Sequence, residues 1–391
     1  MIFWEIAFFA CIFIIFYNYA GYAIIIYFFN LLKKKPQEPD QNADFHPSVS
    51  FIVAAFNEED FIADKIKNSL EQDYPADKIE FIFVTDGSSD KTPEIVKRYP
   101  SIRLLHQDLR QGKAAALNRA INIASNDILI ISDANTLLNL EASKRISRHY
   151  LDPKNGGVAG EKKVMSAADA DNGVGEGESL YWKYESWLKK VDDEFYSVVG
   201  AAGELFSLRR ELYEPLGHDV VLDDFIISLK VVQKGYRVRY EPGAFAMESP
   251  SFSIVDERKR KVRIAAGGLQ SIVILKGLFR FWRHFRLTFL YISHRVLRWT
   301  LTPLCLIFAL IANLVIVSNG GGLFYQFALV MQIVFYLMAI TASIMEPRKR
   351  PGILKIPYYF TFMNTSVIAG FFRFIRGKQS AVWEKAKRQQ P

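Results

Sequence analysis

Asp133 and Asn135 stand two residues apart at the end of the run Asp127-Ile128-Leu129-Ile130-Ile131-Ser132. A carboxylate and an amide carbonyl at that spacing offer hard oxygen ligands, suited to a divalent cation that carries phosphates. Asp86 closes a second apolar run, Ile79 to Thr85, in the segment Asp86-Gly87-Ser88-Ser89-Asp90. A third group, Asp223-Asp224, follows Val220-Val221-Leu222 and precedes Phe225. Adjacent carboxylates repel, and one desolvated against Leu222 and Phe225 would have a raised pKa suited to general-base work. Each group has a bland alternative: Asp-Gly is a common turn, and an acid ahead of a helix is a common N-cap. Lys113 follows Gly112 at a predicted helix start, a place that welcomes anions. Arg258, Lys259, Arg260, Lys261 and Arg263 suit lipid headgroups, or in one or two cases a leaving diphosphate. Trp182 and Trp187 read as core or interface residues before they read as a sugar platform.

These groups need a scaffold, and the hydrophobic pattern supplies it. Val49 to Ala55, Ile79 to Thr85, Ile102 to His106 and Asp127 to Ser132 are short apolar runs, read as strands buried on both faces. Between them Asn57 to Gln72, Lys91 to Tyr99 and Gly112 to Ser125 read as helices, the first with Asn57 as N-cap and Glu58, Glu59 and Asp60 in its first turn. Strands alternating with helices predict right-handed crossovers and a mostly parallel sheet. Ligands of such sheets sit beyond the strands' C-terminal ends, so Asp86 and Asp133 at two tips of one sheet favour function over two coincidental turns. No G-x-G-x-x-G follows the first strand, which disfavours a dinucleotide-binding dehydrogenase. Beyond Leu151 the regularity falls. Asn172 to Glu178 reads as a Gly-rich acidic loop, Ser179 to Lys190 as an amphipathic helix, Asp223 to Lys234 as a helix and Arg237 to Tyr240 as a strand.

The 391 residues are 50% apolar and 14% aromatic, with a formal charge of +8. Met1 to Leu32 carries Glu5 as its one ionised side chain, and Leu297 to Met345 carries only Arg298. The first segment, and within the second Leu297 to Val317 and Leu323 to Met345, are long enough to span a bilayer. Lys33, Lys34 and Lys35 place the end of the first span in the cytoplasm, so the soluble domain belongs on the cytoplasmic face of the cell membrane. The expected organisation is a spanning helix over 1–32, a linker over 33–47, a catalytic-type domain over 48–250, interfacial helices over 251–296 and two spans over 297–345. For 346–391 a surface-lying or re-entrant segment, which keeps the basic tail inside, is preferred to a further crossing at Ile353 to Phe372. Cys11 and Cys305 lie in apolar stretches, so no disulfide framework is indicated. The basic clusters flank the apolar segments, which points to membrane lipids as partners and away from nucleic acid.

Five motifs in order carry a resemblance: Pro47 to Glu59, which includes Ala54, Asn57 and Glu58; Asp86-Gly87-Ser88-Ser89-Asp90; Gly112-Lys113-Ala114-Ala115-Ala116-Leu117-Asn118; Ser132-Asp133-Ala134-Asn135; and Leu222-Asp223-Asp224. From Pro47 to about Met247 the chain resembles glycosyltransferase family 2, and its flanking helices resemble the membrane-integrated branch with hyaluronan, chitin and cellulose synthases. The resemblance implies an α/β, GT-A type nucleotide-binding domain with transmembrane and interfacial helices. It implies a UDP-sugar donor, with Ala54, Asn57, Glu58, Asp86, Lys113 and Asp133 about the nucleotide, and Mg2+ or Mn2+ on Asp133 and Asn135. Asp224 would be the base that deprotonates the acceptor, Asp223 its support, and Gly203 and Glu204 the acceptor end. Arg260 and Arg263, followed by Gly267, Gly268 and Gln270, would match the QxxRW region. Two positions depart from the pattern: Asn135 replaces the second acid of the DxD, and Ile264 and Arg260 replace the Trp and Gln of QxxRW. The expected activity is therefore single transfer to a lipid-linked saccharide or growing glycan. The alternatives are a processive synthase coupled to export, with a homo-oligomer as its form, and a non-catalytic membrane protein that binds sugar nucleotides.

Overall fold

The computed structural model describes residues 1–33, 38–40, 44–164, 174–249, 254–346 and 350–377. Lys34, Lys35, part of the expected linker, Asn172, Gly173, Arg348, Lys349 and the tail from Lys378 lie outside the described residues. One eight-stranded sheet forms the centre: β1 (Val49–Ala55), β2 (Ile79–Asp86), β3 (Ile102–Gln107), β4 (Ile128–Asp133), β5 (Thr136–Leu138), β6 (Asn155–Val164), β7 (Leu205–Arg209) and β8 (Arg237–Glu248), in the order β3-β2-β1-β4-β7-β6-β8-β5. The half from β3 to β4 is parallel, as the alternation of strand and helix predicts. The other half is mixed: β7 runs antiparallel to β4 and β6, β6 parallel to β8, and β5 antiparallel to β8.

The four parallel strands sort their side chains by parity, because successive residues of a strand point to opposite faces. Ile52, Ala54, Ile82, Val84, Leu129 and Ile131 share one core with Ala114, Leu117 and Ala120. Phe51, Val53, Phe83 and Ile130 share the other with Ile62, Ile66 and Val96.

The chain's helices are α1 (Ile2–Phe16), α2 (Tyr22–Leu31), α3 (Ile62–Leu70), α4 (Thr92–Lys97), α5 (Lys113–Ile123), α6 (Ala142–Arg148), α7 (Val174–Phe195), α8 (Asp223–Gln233), α9 (Ile254–Ile274), α10 (Phe281–Tyr291), α11 (Leu297–Trp299), α12 (Leu301–Ser318), α13 (Leu323–Ile344) and α14 (Gly352–Ile375). Several expectations are corrected here. The helix after β1 starts at Ile62, because Asn57 adopts φ 53° and uses its side chain elsewhere. The segment expected to be a Gly-rich loop is helical from Val174, as the start of the 22-residue α7. Neither Asp223 nor Asp224 is the N-cap of α8; Leu222 is, and both acids lie in the first turn. The second long apolar stretch breaks at Thr300 and its span begins at Leu301.

Among the described residues three helices are long and apolar enough to cross a membrane: Ile2–Leu31, Leu301–Ser318 and Leu323–Ile344. The first, α1 and α2 joined by a π-helical turn at Tyr17–Gly21, packs Phe8 against Ala309, Ala312 and Ile316 of α12. A second π-helical turn, Ile292–Val296, meets the first, where Asn18 donates to the Ser293 carbonyl at 2.9 Å. Tyr22 donates to Asp192 at 2.6 Å and His294 bonds the other Asp192 oxygen at 2.6 Å, so the membrane anchor grips α7 of the sheet domain. The segment at 353–372 is one helix, α14. It rests on α9 so closely that a Cβ on Gly370 would lie 2.6 Å from the Ala265 Cβ.

Candidate functional site

The parallel register sets Ala54 of β1 between Val84 of β2 and Asp133 of β4, and brings the three strand tips to one edge. Asp86 ends β2 as a buried carboxylate with both oxygens engaged. One accepts from the backbone N–H groups of Gln111 at 2.9 Å and Gly112 at 2.6 Å, and the other from Arg119 at 2.7 Å. Asp86 thus clamps the loop that leads into α5. The next residue, Gly87, has φ 69°, and a Cβ there would lie 2.5 Å from the Arg110 Cβ. Arg110 in turn lies flat over Phe56, its guanidinium carbon 3.4 Å from the ring centroid. Together these residues wall a small cleft that Ala54 and Lys113 also line.

Lys113, the first residue of α5, reaches into the carboxylates. Its ammonium lies 2.6 Å from Asp133 Oδ1 and 3.7 Å from Asp223 Oδ2. Burial pulls its pKa down, but Asp133, Asp223 and Asp224 outweigh that and hold it well above the ordinary lysine value. The carboxylates are strained in the opposite sense. Burial, then the neighbouring Asp223, pushes Asp224 up to about 7, although Lys113 pulls it down. Burial also raises Asp133, against the pull of Lys113 and with repulsion from Glu204 and Asp223. With every group ionised, three carboxylates face one ammonium, a surplus of two negative charges.

That surplus bears on a divalent cation. Asp223 Oδ2 is buried and has no hydrogen-bond partner. Among the described residues no three His, Cys, Asp or Glu side chains form a group that could hold a metal ion. The protein's share of a metal shell here would be one or two oxygens, with phosphate oxygens as the remaining ligands, which is how Mg2+ is commonly held beside phosphates. Asp133, with Asn135 partly exposed on the same β4–β5 turn, fits that share.

The acceptor-side expectation, Gly203 and Glu204, falls beside the same cluster. A Cβ on Gly203 would lie 2.9 Å from Lys113 Nζ, 3.2 Å from Asp224 Oδ2 and 3.6 Å from Asp133 Oδ2. Gly203→Ala is therefore expected to displace Lys113 from Asp133 and to lower turnover about tenfold with little change in melting temperature, measured as rates at saturating donor beside a thermal scan. Glu204 accepts from Lys162 at 2.5 Å, and Lys162 also pairs with Glu248. Burial works against the Glu204 charge, yet Lys162 holds its carboxyl far below the usual range. The Lys162 ammonium is also 5.0 Å from the Trp182 ring centroid, and Lys261 of α9 is 5.6 Å from the same ring.

Helix α9 packs against Val221 and Leu222, the residues just ahead of Asp223 and Asp224. A Cβ on Gly267 would lie 2.9 Å from Val221 and Leu222, and Gln270 accepts from the Val221 N–H at 3.1 Å. Burial lowers the pKa of Arg263, as do Arg260 and Arg373, while Asp223 and Asp133 pull it up, so Arg263 adjoins the carboxylate cluster. Arg260 turns its guanidinium onto Glu257, at 2.9 and 3.0 Å, and its charge also helps to lower the Glu204 pKa.

The structure therefore brings Asp133, Lys113, Asp223, Asp224 and Gly203 into one centre, and Ala54, Asp86 and Lys113 around the adjoining cleft. Asn57 and Glu58 sit on the loop that follows β1. The Asn57 side chain accepts from the Ser89 N–H at 2.8 Å, and the Glu58 N–H donates to Thr92 at 2.8 Å, which ties the loop after β1 to the loop after β2. Lys162, Glu248, Arg110 and Arg119 were not found from the sequence. Lys162 lies in Gly160-Glu161-Lys162-Lys163, where nothing in periodicity marks a buried lysine.

Residues 50–217 match the family model described as Glycosyl transferase family 2. The poly-β-1,6-N-acetyl-D-glucosamine synthase of Staphylococcus aureus (strain MSSA476) is 28% identical over 251 residues, 62% of this chain and 59% of that protein. The synthase of the same name from Staphylococcus epidermidis is 25% identical over 228 residues, 56% of this chain and 54% of that protein. The chain thus spans less than two thirds of these relatives' length. Among solved structures, the mannosyltransferase PcManGT of Pyrobaculum calidifontis, in complex with GDP-Man and Mn2+, superposes with a TM-score of 0.73 at 23% identity over 96% of this chain and 99% of that one. The shared fold is the GT-A arrangement.

Proposed function

With a glycosyltransferase family 2 domain over residues 50–217 as premise, we propose that this membrane protein transfers a sugar, with inversion, from a nucleoside-diphosphate sugar to an acceptor hydroxyl at the membrane surface. The donor is a UDP-sugar and the acceptor a lipid-linked saccharide or growing glycan. The observation that carries this reading is Lys113 among Asp133, Asp223 and Asp224, with Asp224 held near neutrality.

The Asp224 carboxylate accepts the acceptor's proton as its oxygen attacks the anomeric carbon, and the bond from that carbon to the diphosphate breaks. A pKa near 7 suits a base at neutral pH, since the group is both available and proton-hungry. Mg2+ or Mn2+ on Asp133 and Asn135 would act as a Lewis acid on the diphosphate. Lys113 and Arg263 add fixed positive charge where the leaving group gains negative charge. The cleft between Asp86 and the Phe56–Arg110 pair takes the base, and Asn57 and Glu58 brace its rim. Gly203, with no side chain, leaves room for the acceptor above Asp224, and Glu204 with Lys162 borders it.

The catalytic domain faces the cytoplasm in this reading, and basic residues beside the spans, Lys33 among them, contact anionic lipid headgroups. A second reading, processive synthesis, is supported by the names of the staphylococcal relatives. The test is nucleoside-diphosphate release by the detergent-solubilised full chain from a panel of UDP- and GDP-sugars, with Mn2+ or Mg2+ and membrane lipid extract. Release from one donor, lost in Asp224→Asn, is expected, and sizing the product separates single transfer from polymerisation. Measurable UDP binding without release from any donor would favour a non-catalytic sugar-nucleotide-binding protein.

A further inference from the structure

Lys65, in the middle of α3, is fully buried. Its ammonium donates to Ser132 Oγ at 2.7 Å and to the Thr136 carbonyl at 3.0 Å, and lies 5.8 Å from the Phe51 ring centroid. Both hydrogen-bond acceptors are neutral. Burying an ammonium against neutral oxygens is costly, and an apolar side chain of similar length would fill the space without that cost.

The residues around it indicate what the charge does. Ser132 and Thr136 bracket Asp133 and Asn135, and the Thr136 hydroxyl donates to the Asp133 carbonyl at 3.0 Å. Ser132 Oγ also donates to the Glu204 carbonyl at 2.9 Å. One ammonium thus ties α3, the β4–β5 turn and the acceptor-side loop into a single buried knot. It does so from beneath the turn whose upper side carries the carboxylates. Asn68, also on α3, and Gln72, just beyond its C-terminal end, grip β5 and the residue beyond it with neutral amides: Asn68 bonds both backbone groups of Leu138 at 2.8 Å, and Gln72 donates to the Asn139 carbonyl at 3.0 Å. Neutral groups suffice for holding β5. Only at Lys65, which bonds the residues on either side of Asp133 and Asn135, is the group ionisable, and burial pulls its pKa down to about 7 against the pull of Asp133.

We propose that Lys65 is a positioning residue that holds Asp133 and Asn135 in the arrangement that takes a divalent cation with the donor's diphosphate. This rests on the metal-dependent reading above. Partners outside the ligand shell commonly matter by about 10–100-fold in metal affinity.

The experiment measures Mn2+ binding to the UDP complex of the full chain in detergent, by the loss of the free-ion EPR signal, for the wild type, Lys65→Met, Asn68→Ala and Ser132→Ala. Lys65→Met is expected to weaken Mn2+ binding about tenfold, although removing a nearby positive charge would by itself tighten it. Asn68→Ala is expected to lower the melting temperature and leave the Mn2+ affinity within about threefold of wild type. A Lys65→Met protein that binds Mn2+ as tightly as the wild type, or loses no more than Asn68→Ala, overturns the assignment. Should Lys65→Met fail to fold, Ser132→Ala carries the test: a weakening of about fivefold or more supports the role, and an affinity within about threefold of wild type refutes it. A wild type that takes up no Mn2+ with UDP defeats the metal reading itself, and the inference falls with it.

Discussion

Asp224→Asn is expected to lower turnover about a thousandfold while leaving the protein at least as stable as the wild type. The substitution keeps size and shape but removes the oxygen that receives the acceptor's proton, a contribution of about 10²–10⁴ for a positioned base. Stability should move the other way, because the Asp224 carboxylate is held near about 7 by burial and by Asp223. Between the ordinary carboxylate range and that value, the folded chain keeps a proton that the unfolded chain releases. Stability from this group is therefore greatest at low pH and declines as pH rises through that window. The amide has no such dependence. In the wild type kcat/KM should rise tenfold per pH unit below about 7 and level off above it. Rates of nucleoside-diphosphate release across pH 5 to 9, with melting temperatures of both proteins, decide the matter. Full activity in Asp224→Asn alongside a dead Asp223→Asn would reassign the base to Asp223.

Asp133→Asn is the second large effect: donor turnover should fall about 10²-fold and its stimulation by Mn2+ should disappear. The carboxylate lies 2.6 Å from Lys113 and is the acid at the tip of β4, where a diphosphate-bound cation would sit. Its removal leaves Asn135 as a second neutral ligand on the same turn. Since burial already presses Asp133 toward the neutral form, the amide should fold normally, and circular dichroism should match the wild type. Asn135→Asp is the reciprocal test. It adds an acid to a cluster that already holds more carboxylates than ammonium groups, so Mn2+ affinity should increase and metal-free stability decrease. Retained Mn2+ stimulation in Asp133→Asn would move the metal away from the β4 tip.

Much of this protein was legible from sequence because the signals are local. Runs such as Val49 to Ala55 and Ile128 to Ile131 mark buried strands by composition alone, and the observed β1 has the expected bounds. Asp86 and Asp133 fall at strand tips because each is the first acid after such a run. The three long apolar segments became three helices able to span a bilayer, since hydrophobic length is a property of the chain itself.

What tertiary structure decided are the pairings between distant residues. β5 adds to β8 through Thr136 and Glu248, and β6 to β8 with a shifted register, so the mixed half of the sheet left no periodic trace that marks its partners. Asn57 turned away from capping a helix because Ser89, 32 positions on, offers its amide a better-placed partner and holds the backbone at positive φ. Asp86, expected beside the nucleotide, spends both oxygens on Arg119 and the Gly112 loop, a pairing no local signal announces. The ordering of charges is likewise a three-dimensional outcome. Lys162 and Lys65 are unremarkable basic residues in the chain and Lys113 is marked only by the Gly112 before it, and each becomes a specific partner only where the fold withdraws water. Electrostatic interaction strengthens as the surrounding dielectric falls, so burial, which composition does not state, selects which of the chain's many charges act on the site.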